Sequence, residues 1–349
     1  MPLRRDNLKA MMTTSDLTIG GDDQPSQEGR QEAPDTVEAT PDPAPTAPSD
    51  VPQQVPPPPR IFLTIARLDG KKLEAAFTRI AEDLQSFIDK SEIAAKYNFL
   101  FLYNEQSPIS ESTSNTLYAA ASSDFRDQSK PILLLLHTNG GSPVPAYLVS
   151  RYLKTSASHG FVVSVPRRAK SAGTLLALGA KEIHMGMMSE LGPVDPQFAR
   201  LPALGLGTAL DYIAGVCEKH PAAAEMLASY LDKTLSIRHL GLYERVSESA
   251  THYAQKLLKR ESLAEERVTK VAHQLVYGYK DHSFAIDCDE IRSILGGEIV
   301  KVETPEYKLA NQIHQYMEEV NIAYRIFHKK YCSITGRADG LSVDDLEDE

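Results

Sequence analysis

The chain has 349 residues, with 37 basic and 47 acidic side chains, 22 prolines, three cysteines and no tryptophan. That length suffices for one large domain or two ordinary ones, with a core that needs no covalent staples. Cys217, Cys288 and Cys332 are too few and too scattered for a disulfide framework, and no Cys-x-x-Cys pair offers structural zinc, so a reducing, cytoplasmic setting is expected. Apolar runs such as Ile132 to Leu136 are far short of the roughly 20 residues a membrane helix needs, so no membrane span is expected. The first residues, MPLRRDNLKAMM, carry charge but no apolar stretch of the kind a secretory leader uses.

Residues 1–59 hold four basic and ten acidic side chains and 12 of the 22 prolines, including the run Pro56 to Pro59. Such a stretch has too little apolar surface to offset its ordering entropy, and it reads as a disordered acidic tail with a stiff spacer. Asp339 to Glu349 contains six acids and no base. It predicts a second solvated tail over 336–349. Without 1–59 and 339–349 the body keeps 33 basic and 31 acidic groups, a charge of +2 with no basic stripe, so nucleic acid is not an expected partner.

Within the body, Arg60 to Arg67 is an apolar, β-rich run. Leu73, Phe77, Ile80, Leu84 and Ile88 then fall at helical spacing over Lys71 to Lys90. Tyr97 to Asn104 is a short strand, and the Ser-rich stretch 105–129 is a loop or a helix around Thr116–Ala121. Lys130 to Asn139 looks like a strand buried on both faces. The Gly140-Gly141 pair ends it, Pro145 to Lys154 reads as a helix, and Gly160 to Pro166 as the next strand. Ser171 to Ala180 is a helix and Glu182 to Gly186 a strand. Alternation at these lengths predicts βαβ units and a mostly parallel sheet. Residues 206–275 are helical in pattern, followed by a strand at Glu298–Val302 and a long helix from Pro305 to Tyr331. The division expected is 1–59 tail, 60–200 α/β core, 201–335 helical extension completing that domain, and 336–349 tail.

Three segments fall at carboxyl ends of strands, where parallel sheets place their sites. In His137-Thr-Asn-Gly-Gly141, glycines free backbone N–H groups to face an anion, or simply make a tight turn. In Arg168-Ala-Lys-Ser-Ala-Gly-Thr174, Ser171 opens a helix. It is an ordinary N-cap, or a hydroxyl placed where the helix dipole favours developing negative charge. In Met188 to Gln197, two prolines and a glycine hold Asp195 in a rigid loop. Each segment alone has a structural explanation. The three in this order point to one site.

These segments, together with His282-Ser-Phe-Ala-Ile286 near the end, resemble the serine dehydrogenase proteinase family, a branch related to signal peptide peptidase A and, more distantly, to Clp-type proteases and crotonases. The resemblance spans roughly 60–315, is strongest over 131–197, and is most specific in Leu191-Gly-Pro-Val-Asp-Pro-Gln197. It implies an α/β crotonase/Clp-type fold of ββα repeats, with a mostly parallel sheet and a helical C-terminal extension. It also implies a Ser–Lys serine peptidase. Position by position, Ser171 matches the nucleophile, Gly140 and Gly141 the oxyanion turn, and the N–H of Ala172 a second donor. Asn139 stands where the family commonly has proline, and Pro166 to Lys170 is more basic than usual.

The base is harder to place. A serine hydroxyl needs a neighbouring base, and a lysine serves only where burial or nearby cations favour its neutral form. Lys233, among Leu231, Leu235 and Ile237, best fits the Ser-to-Lys order. Lys170 adjoins the nucleophile but sits on a diverging side chain. His137, Asp195 and His282 are candidate supporting residues, and His184 reads as core. The expectation is a cytoplasmic, homo-oligomeric peptidase acting on peptides or unfolded protein, without metal or organic cofactor. No Gly-x-Gly-x-x-Gly follows a strand. An acyl-thioester enzyme on the same fold and a non-catalytic oligomeric scaffold are the competing functions.

Overall fold

The computed structural model describes residues 60–346 apart from 123–126, 157–159, 196, 199–200, 235–236 and 280, so the expected tail 1–59 and Pro196 of the proline loop lie outside the described residues. In chain order, α1 (Arg60–Ala66) and α2 (Phe77–Lys90) lead to β1 (Asn98–Asn104), α3 (Glu111–Ala120), β2 (Ile132–Thr138), α4 (Pro143–Ser156) and β3 (Phe161–Ser164). Then come β4 (Arg168–Ala169), α5 (Ala172–Leu178), β5 (Glu182–Met185), β6 (Glu190–Leu191) and the short pair β7 (Gln197–Phe198) and β8 (Leu201–Pro202). The helices α6 (Ala203–Lys219), α7 (Ala224–Thr234), α8 (Ile237–Leu258) and α9 (Glu265–Tyr277) follow. The chain closes with β9 (Ile286–Asp287), α10 (Cys288–Leu295), β10 (Val300–Val302), α11 (Pro305–His328), β11 (Lys330–Gly336) and β12 (Leu341–Asp345).

The main sheet runs β10-β5-β3-β2-β1-β11-β12. Its first five strands are parallel, and β11 and β12 add an antiparallel edge. A short limb branches from the end of β2: β4 pairs with it at Thr138–Ala169, β6 runs parallel to β4, and β9 antiparallel to β6. This is the mostly parallel α/β architecture that the βαβ alternation predicts.

The period-2 pleat explains why β2 is apolar throughout. Ile132, Leu134 and Leu136 enter one core with α4, α5, α8, α9 and α10, while Leu133 and Leu135 enter another with α1, α2 and α11. Truncating Leu134 or Leu136, both fully buried, to alanine costs about 2–5 kcal/mol, because a close-packed core collapses only partly around the gap. The helical extension shares the first core: Ala250, Ala254, Leu257 and Leu258 of α8 pack with α5 residues Leu175 and Leu178. Among the described residues, no helix is long and apolar enough to cross a membrane.

Three expectations need correction. Arg60 to Ala66 is a helix, not a strand. Ile61 and Ile65, four apart, are the residues it buries, in the core shared with α11. The long helix ends at His328, where Lys329 takes the left-handed conformation (φ 55°, ψ 42°) and reverses the chain into β11. Leu309, Ile313, Met317, Val320 and Tyr324 of that helix pack on the body, while Ile322 is exposed. The acidic segment expected to be a tail contains β12, registered on β11 from Lys330–Asp345 to Ile334–Leu341. Counting its charge obscured the pattern: Leu341, Val343 and Leu346 pack against the core, and Lys330 pairs with Asp345.

Candidate active site

The end of β2 and the start of α5 meet at two unusual backbone turns. Gly140 (φ 104°) and Gly141 (φ 147°) carry the chain out of β2, in a region open to glycine and costly for residues with a Cβ. Space demands glycine as well. A Cβ on Gly140 would lie 2.7 Å from the Lys170 carbonyl oxygen and 2.9 Å from Ser171 Cβ, and one on Gly141 would lie 2.2 Å from the Ile109 nitrogen. The turn is locked from outside: Ile109 N–H donates to the Gly140 carbonyl and Ser142 N–H to the Ile109 carbonyl, both at 2.8 Å.

On the other side, β4 pairs with the end of β2 and Lys170 N–H donates to the Thr138 carbonyl at 3.0 Å. This delivers Ser171 against Gly140. Ser171 has φ 49° and ψ −112°, and its side chain makes no cap hydrogen bond to α5. The ordinary N-cap reading of this serine is therefore overturned. A non-glycine residue in this region is strained by about 1–3 kcal/mol, and such strain clusters at functional sites. All seven residues of α5 are buried, which explains the run of small side chains: a Cβ on Gly173 would meet Thr138 Cγ2 at 2.6 Å. The Thr174 hydroxyl lies 2.7 Å from the Ala169 carbonyl oxygen and 2.8 Å from that of Gly192, and it accepts the Gly192 N–H at 3.0 Å. It thereby ties the Gly192–Asp195 loop to the serine helix.

A cavity of about 380 Å³ opens here, lined by Gly141, Ser142, Ser171, Ala172, Val194 and His282, with a wall from Val246 and Ala250 of α8. Gly140 N–H is used by Thr138 Oγ1 at 3.1 Å. Among the described residues, no acceptor pairs with the N–H of Gly141 or Ala172. Those two N–H groups, not that of Gly140, are the ones left to hold an oxyanion.

Asp195 and His282, from segments 87 positions apart in sequence, meet beside this cavity. His282 Nδ1 is 3.8 Å from Asp195 Oδ2. Asp195 is buried, and neither its Oδ1 nor His282 Nδ1 has a hydrogen-bond partner among the described residues.

His137 is elsewhere. It follows Leu133 and Leu135 on the α11 face of β2, stacks on Tyr103 with ring centroids 4.6 Å apart, and places Nε2 2.6 Å from Glu105 Oε1. That hydrogen bond, with Arg168 nearby, holds the Glu105 carboxyl below its ordinary range against the opposing effect of burial. Asn139 Nδ2 donates to the Glu105 carbonyl at 2.9 Å, so Glu105 buttresses the glycine turn through both neighbours. Asn139, which replaces a common proline, thus has a structural role.

Lys170 turns away from Ser171. Its ammonium lies 3.0 Å from Glu190 Oε2, 3.4 Å from the Leu191 carbonyl and 3.2 Å from the Phe284 carbonyl. Lys233 is exposed near the end of α7 and is not among the residues lining the cavity; Leu235, one of its expected apolar neighbours, lies outside the described residues. His184 is buried between Thr304, Glu182 and Glu306, and burial holds its imidazole below the ordinary range. The sequence reading missed the α8 wall. The signal for it was the spacing of four between Val246 and Ala250 on an amphipathic helix. Among the described residues, no cluster of His, Cys, Asp or Glu is arranged to hold a metal ion.

The chain is similar to several known proteins. Two uncharacterized proteins of Methanocaldococcus jannaschii are similar to the chain. One is 30% identical over 179 residues, 51% of this chain and 56% of its own length. The other is 26% identical over 167 residues, 48% and 51% respectively. The chain thus spans about half the length of the curated relatives it matches. Two solved structures of a membrane-bound stomatin-specific protease also align. Its serine-to-alanine mutant is 12% identical, with TM-score 0.36, over 65% of this chain and 86% of its own. Its lysine-to-alanine mutant, in complex with a substrate peptide, is 15% identical, with TM-score 0.36, over 73% and 94%. The model of the ClpP-like SDH-type serine proteinases matches residues 111–328, a span that holds Ser171, the glycine turn, Asp195 and His282, and the chain belongs to that family.

Proposed function

We propose that the protein is a serine peptidase that hydrolyses peptide bonds through an acyl-enzyme on Ser171. The observation that carries this reading is the strained Ser171 backbone, which leaves the hydroxyl without a capping role and sets it on one cavity with two N–H groups, those of Gly141 and Ala172, that are unpaired among the described residues. In the reaction the Ser171 hydroxyl gives its proton to a base while Oγ attacks the scissile carbonyl carbon. The carbonyl oxygen, now negative, is held by the N–H groups of Gly141 and Ala172. Donors fixed in advance at the place where charge develops are worth several kcal/mol to such a step. Collapse of the intermediate expels the amine, and water then hydrolyses the ester to free Ser171. The N-terminus of α5 adds its positive end to the same oxyanion.

The Ser–Lys form of this reading gives the base to Lys233 or Lys170, and the surroundings of both argue against it. Burial is what turns a lysine into a base, and Lys233 is exposed. Lys170 is engaged by a carboxylate and two carbonyls, all acceptors suited to an ammonium. Peptides or unfolded protein segments as substrate, a homo-oligomer and a cytoplasmic location complete the proposal, on the family resemblance.

The test is cleavage of an unfolded protein such as reduced casein, followed by mass spectrometry, for wild type and Ser171→Ala. Defined fragments from wild type alone support the reading. No cleavage by folded wild type, with turnover of an acyl-thioester instead, would favour the competing enzyme class.

A further inference from the structure

We infer that the chain carries a second binding site, remote from Ser171: a groove along the open edge of β1 that takes an extended, basic peptide segment as an added strand. The inference stands apart from the peptidase reading and does not need Ser171 to be a nucleophile.

β1 pairs with β2 along its whole length, but β11 covers its other edge only from Phe101 to Tyr103. The chain turns from β11 into β12 at Arg337 to Gly340, so among the described residues no strand lies beside Asn98 to Leu100 on that side. Alternation decides which backbone groups are left over. Asn98 N–H donates to the Pro131 carbonyl at 2.9 Å, so the even-numbered residues of β1 turn their N–H and C=O toward β2 and the odd-numbered ones toward the other edge. Phe101 and Tyr103 meet Gly336 and Ile334 there. The N–H and C=O of Phe99 point the same way and have no backbone partner among the described residues.

An unpaired edge is a template for another strand, and chains usually cover or charge it. Here it lines a cavity of about 640 Å³, walled by α2, by the end of α3 and by the turn at Arg337 to Asp339. That volume is in the range of pockets that hold ligands, and strand addition is the recognition mode such an edge offers. The walls set the chemistry of the occupant. Phe99 and Phe101 pack in the core on the α2 side of the sheet, and Leu100 in the core on the α3 side. Residues directly opposite in an antiparallel pair share a face, so the residue opposite Phe99 points toward α2. There the exposed side chains Glu82, Gln85 and Asp89 line the cavity. Its two neighbours point toward α3, where Ala120, Ala121 and Ile132 make an apolar wall. Of the charged residues lining the cavity, Glu82, Asp89 and Asp339 are acidic and Arg337 is basic. Outside it, Asp127 is matched by Lys130 at 3.8 Å. The field in the groove is therefore negative and draws Lys or Arg. The occupant is an extended segment with a basic residue opposite Phe99 and small or apolar residues on either side of it.

The groove lies at the start of β1 and β2, whereas Gly140 and Ser171 lie beyond the end of β2. A segment held here leaves the serine cavity empty, and it raises the local concentration of whatever protein carries it. The open edge from Tyr97 to Leu100 is about 13 Å long, so the contact is small and of the transient kind. Its strength rests on a few backbone hydrogen bonds and on charge.

The experiment is fluorescence polarisation of a labelled nonapeptide, Ser-Val-Thr-Ala-Arg-Ala-Thr-Val-Ser, titrated with the full chain carrying Ser171→Ala so that no peptide is consumed. It is repeated with Glu in place of the central Arg, with the Arg peptide N-methylated at the Arg amide, and with the chain carrying Glu82→Lys and Asp89→Lys as well. Those two positions are exposed, and the substitutions leave the buried face of α2, Ile80, Leu84 and Ile88, in place. Saturable binding of the Arg peptide is expected, weakened at least about ten-fold by each of the three changes. N-methylation removes the donor to the Phe99 carbonyl, and the two charge effects are expected to shrink as salt is raised. An Arg peptide that binds no better than the Glu peptide up to about 1 mM overturns the inference. Binding that N-methylation leaves unchanged overturns it too, since strand addition needs that N–H, and binding unchanged by the double substitution puts the peptide elsewhere and does the same. A chain that ignores the peptide but self-associates, and stops doing so with the double substitution, gives the groove to a second copy and overturns the peptide assignment. None of these outcomes bears on whether Ser171 is the nucleophile.

Discussion

Replacing Ser171 by glycine is expected to make the protein more stable than replacing it by alanine, although both remove the hydroxyl. At φ 49° and ψ −112° a residue with a Cβ holds strain of about 1–3 kcal/mol. Alanine keeps that Cβ, whereas glycine enters the region freely. Glycine also loses more chain entropy on folding, by about 0.5–1 kcal/mol. The difference leaves Ser171→Gly ahead of Ser171→Ala by about 0.5–2 kcal/mol. Because the hydroxyl caps nothing, neither variant loses a local hydrogen bond that would blur the comparison. Urea denaturation of both variants at one pH reads the difference directly, and calorimetry is expected to show a rise of about 2–4 °C per kcal/mol. A glycine variant no more stable than the alanine variant would refute the claim that strain is stored at the nucleophile.

Gly140→Ala is expected to cost stability and activity together, since its Cβ meets the Lys170 carbonyl and Ser171 Cβ at a positive φ. Strain and overlap together suggest about 2–5 kcal/mol, with fluorophosphonate labelling slowed at least ten-fold (about 1.4 kcal/mol); wild-type labelling at unchanged stability would contradict the packing described. His314, next to His137 and 2.9 Å from the Tyr103 hydroxyl, is held down from an ordinary 6.5 to about 3, by burial first and then by His137 and Arg167. The unfolded chain therefore binds the extra proton more readily, and stability, fully present above pH 6.5, is expected to fall as pH drops from 6.5 toward 3. The slope reaches at most about 1.4 kcal/mol per pH unit from this group; His314→Gln should flatten the acid limb, and an unchanged limb in denaturation at several pH values would refute the assignment. Asn321→Ala removes the buried acceptor of Cys332 N–H at 2.7 Å and is expected to cost about 1–3 kcal/mol, loosening the α11–β11 corner in hydrogen exchange.

Much of the fold was legible because the central strands obey simple rules. A run such as Ile132 to Leu136, apolar at every position, has one economical home, in a parallel sheet covered on both faces. The helix that Ser171 opens was legible for a similar reason, since the small residues Ala-Gly-Thr after it suit a buried helix closely packed on a strand. What misled was local ambiguity. Arg60 to Ala66 has β-branched residues, but only contact with α11 decides between period 2 and a spacing of four. In the C-terminal segment, net charge drew attention from the Leu341-Val343 alternation that places an edge strand.

The base was the least legible part of the site. Lys233 has apolar neighbours in sequence, yet sequence neighbours of a helical lysine need not be its spatial neighbours, and its side chain is exposed. His282 and Asp195 carry no local pattern that pairs them. The antiparallel contact of β9 with β6, at Glu190–Asp287 and Leu191–Ile286, brings their segments side by side. Lys170 adjoins Ser171 in sequence, yet its ammonium lies on Glu190 and two carbonyls.

The most direct test of the central claim is to treat the full-length protein with a fluorophosphonate, digest it and locate the adduct by tandem mass spectrometry. A single phosphonylated residue at Ser171, formed at least about ten-fold more slowly in Gly140→Ala, is the predicted result. An adduct on another residue, or none on folded wild type, would contradict the assignment of Ser171 as the nucleophile.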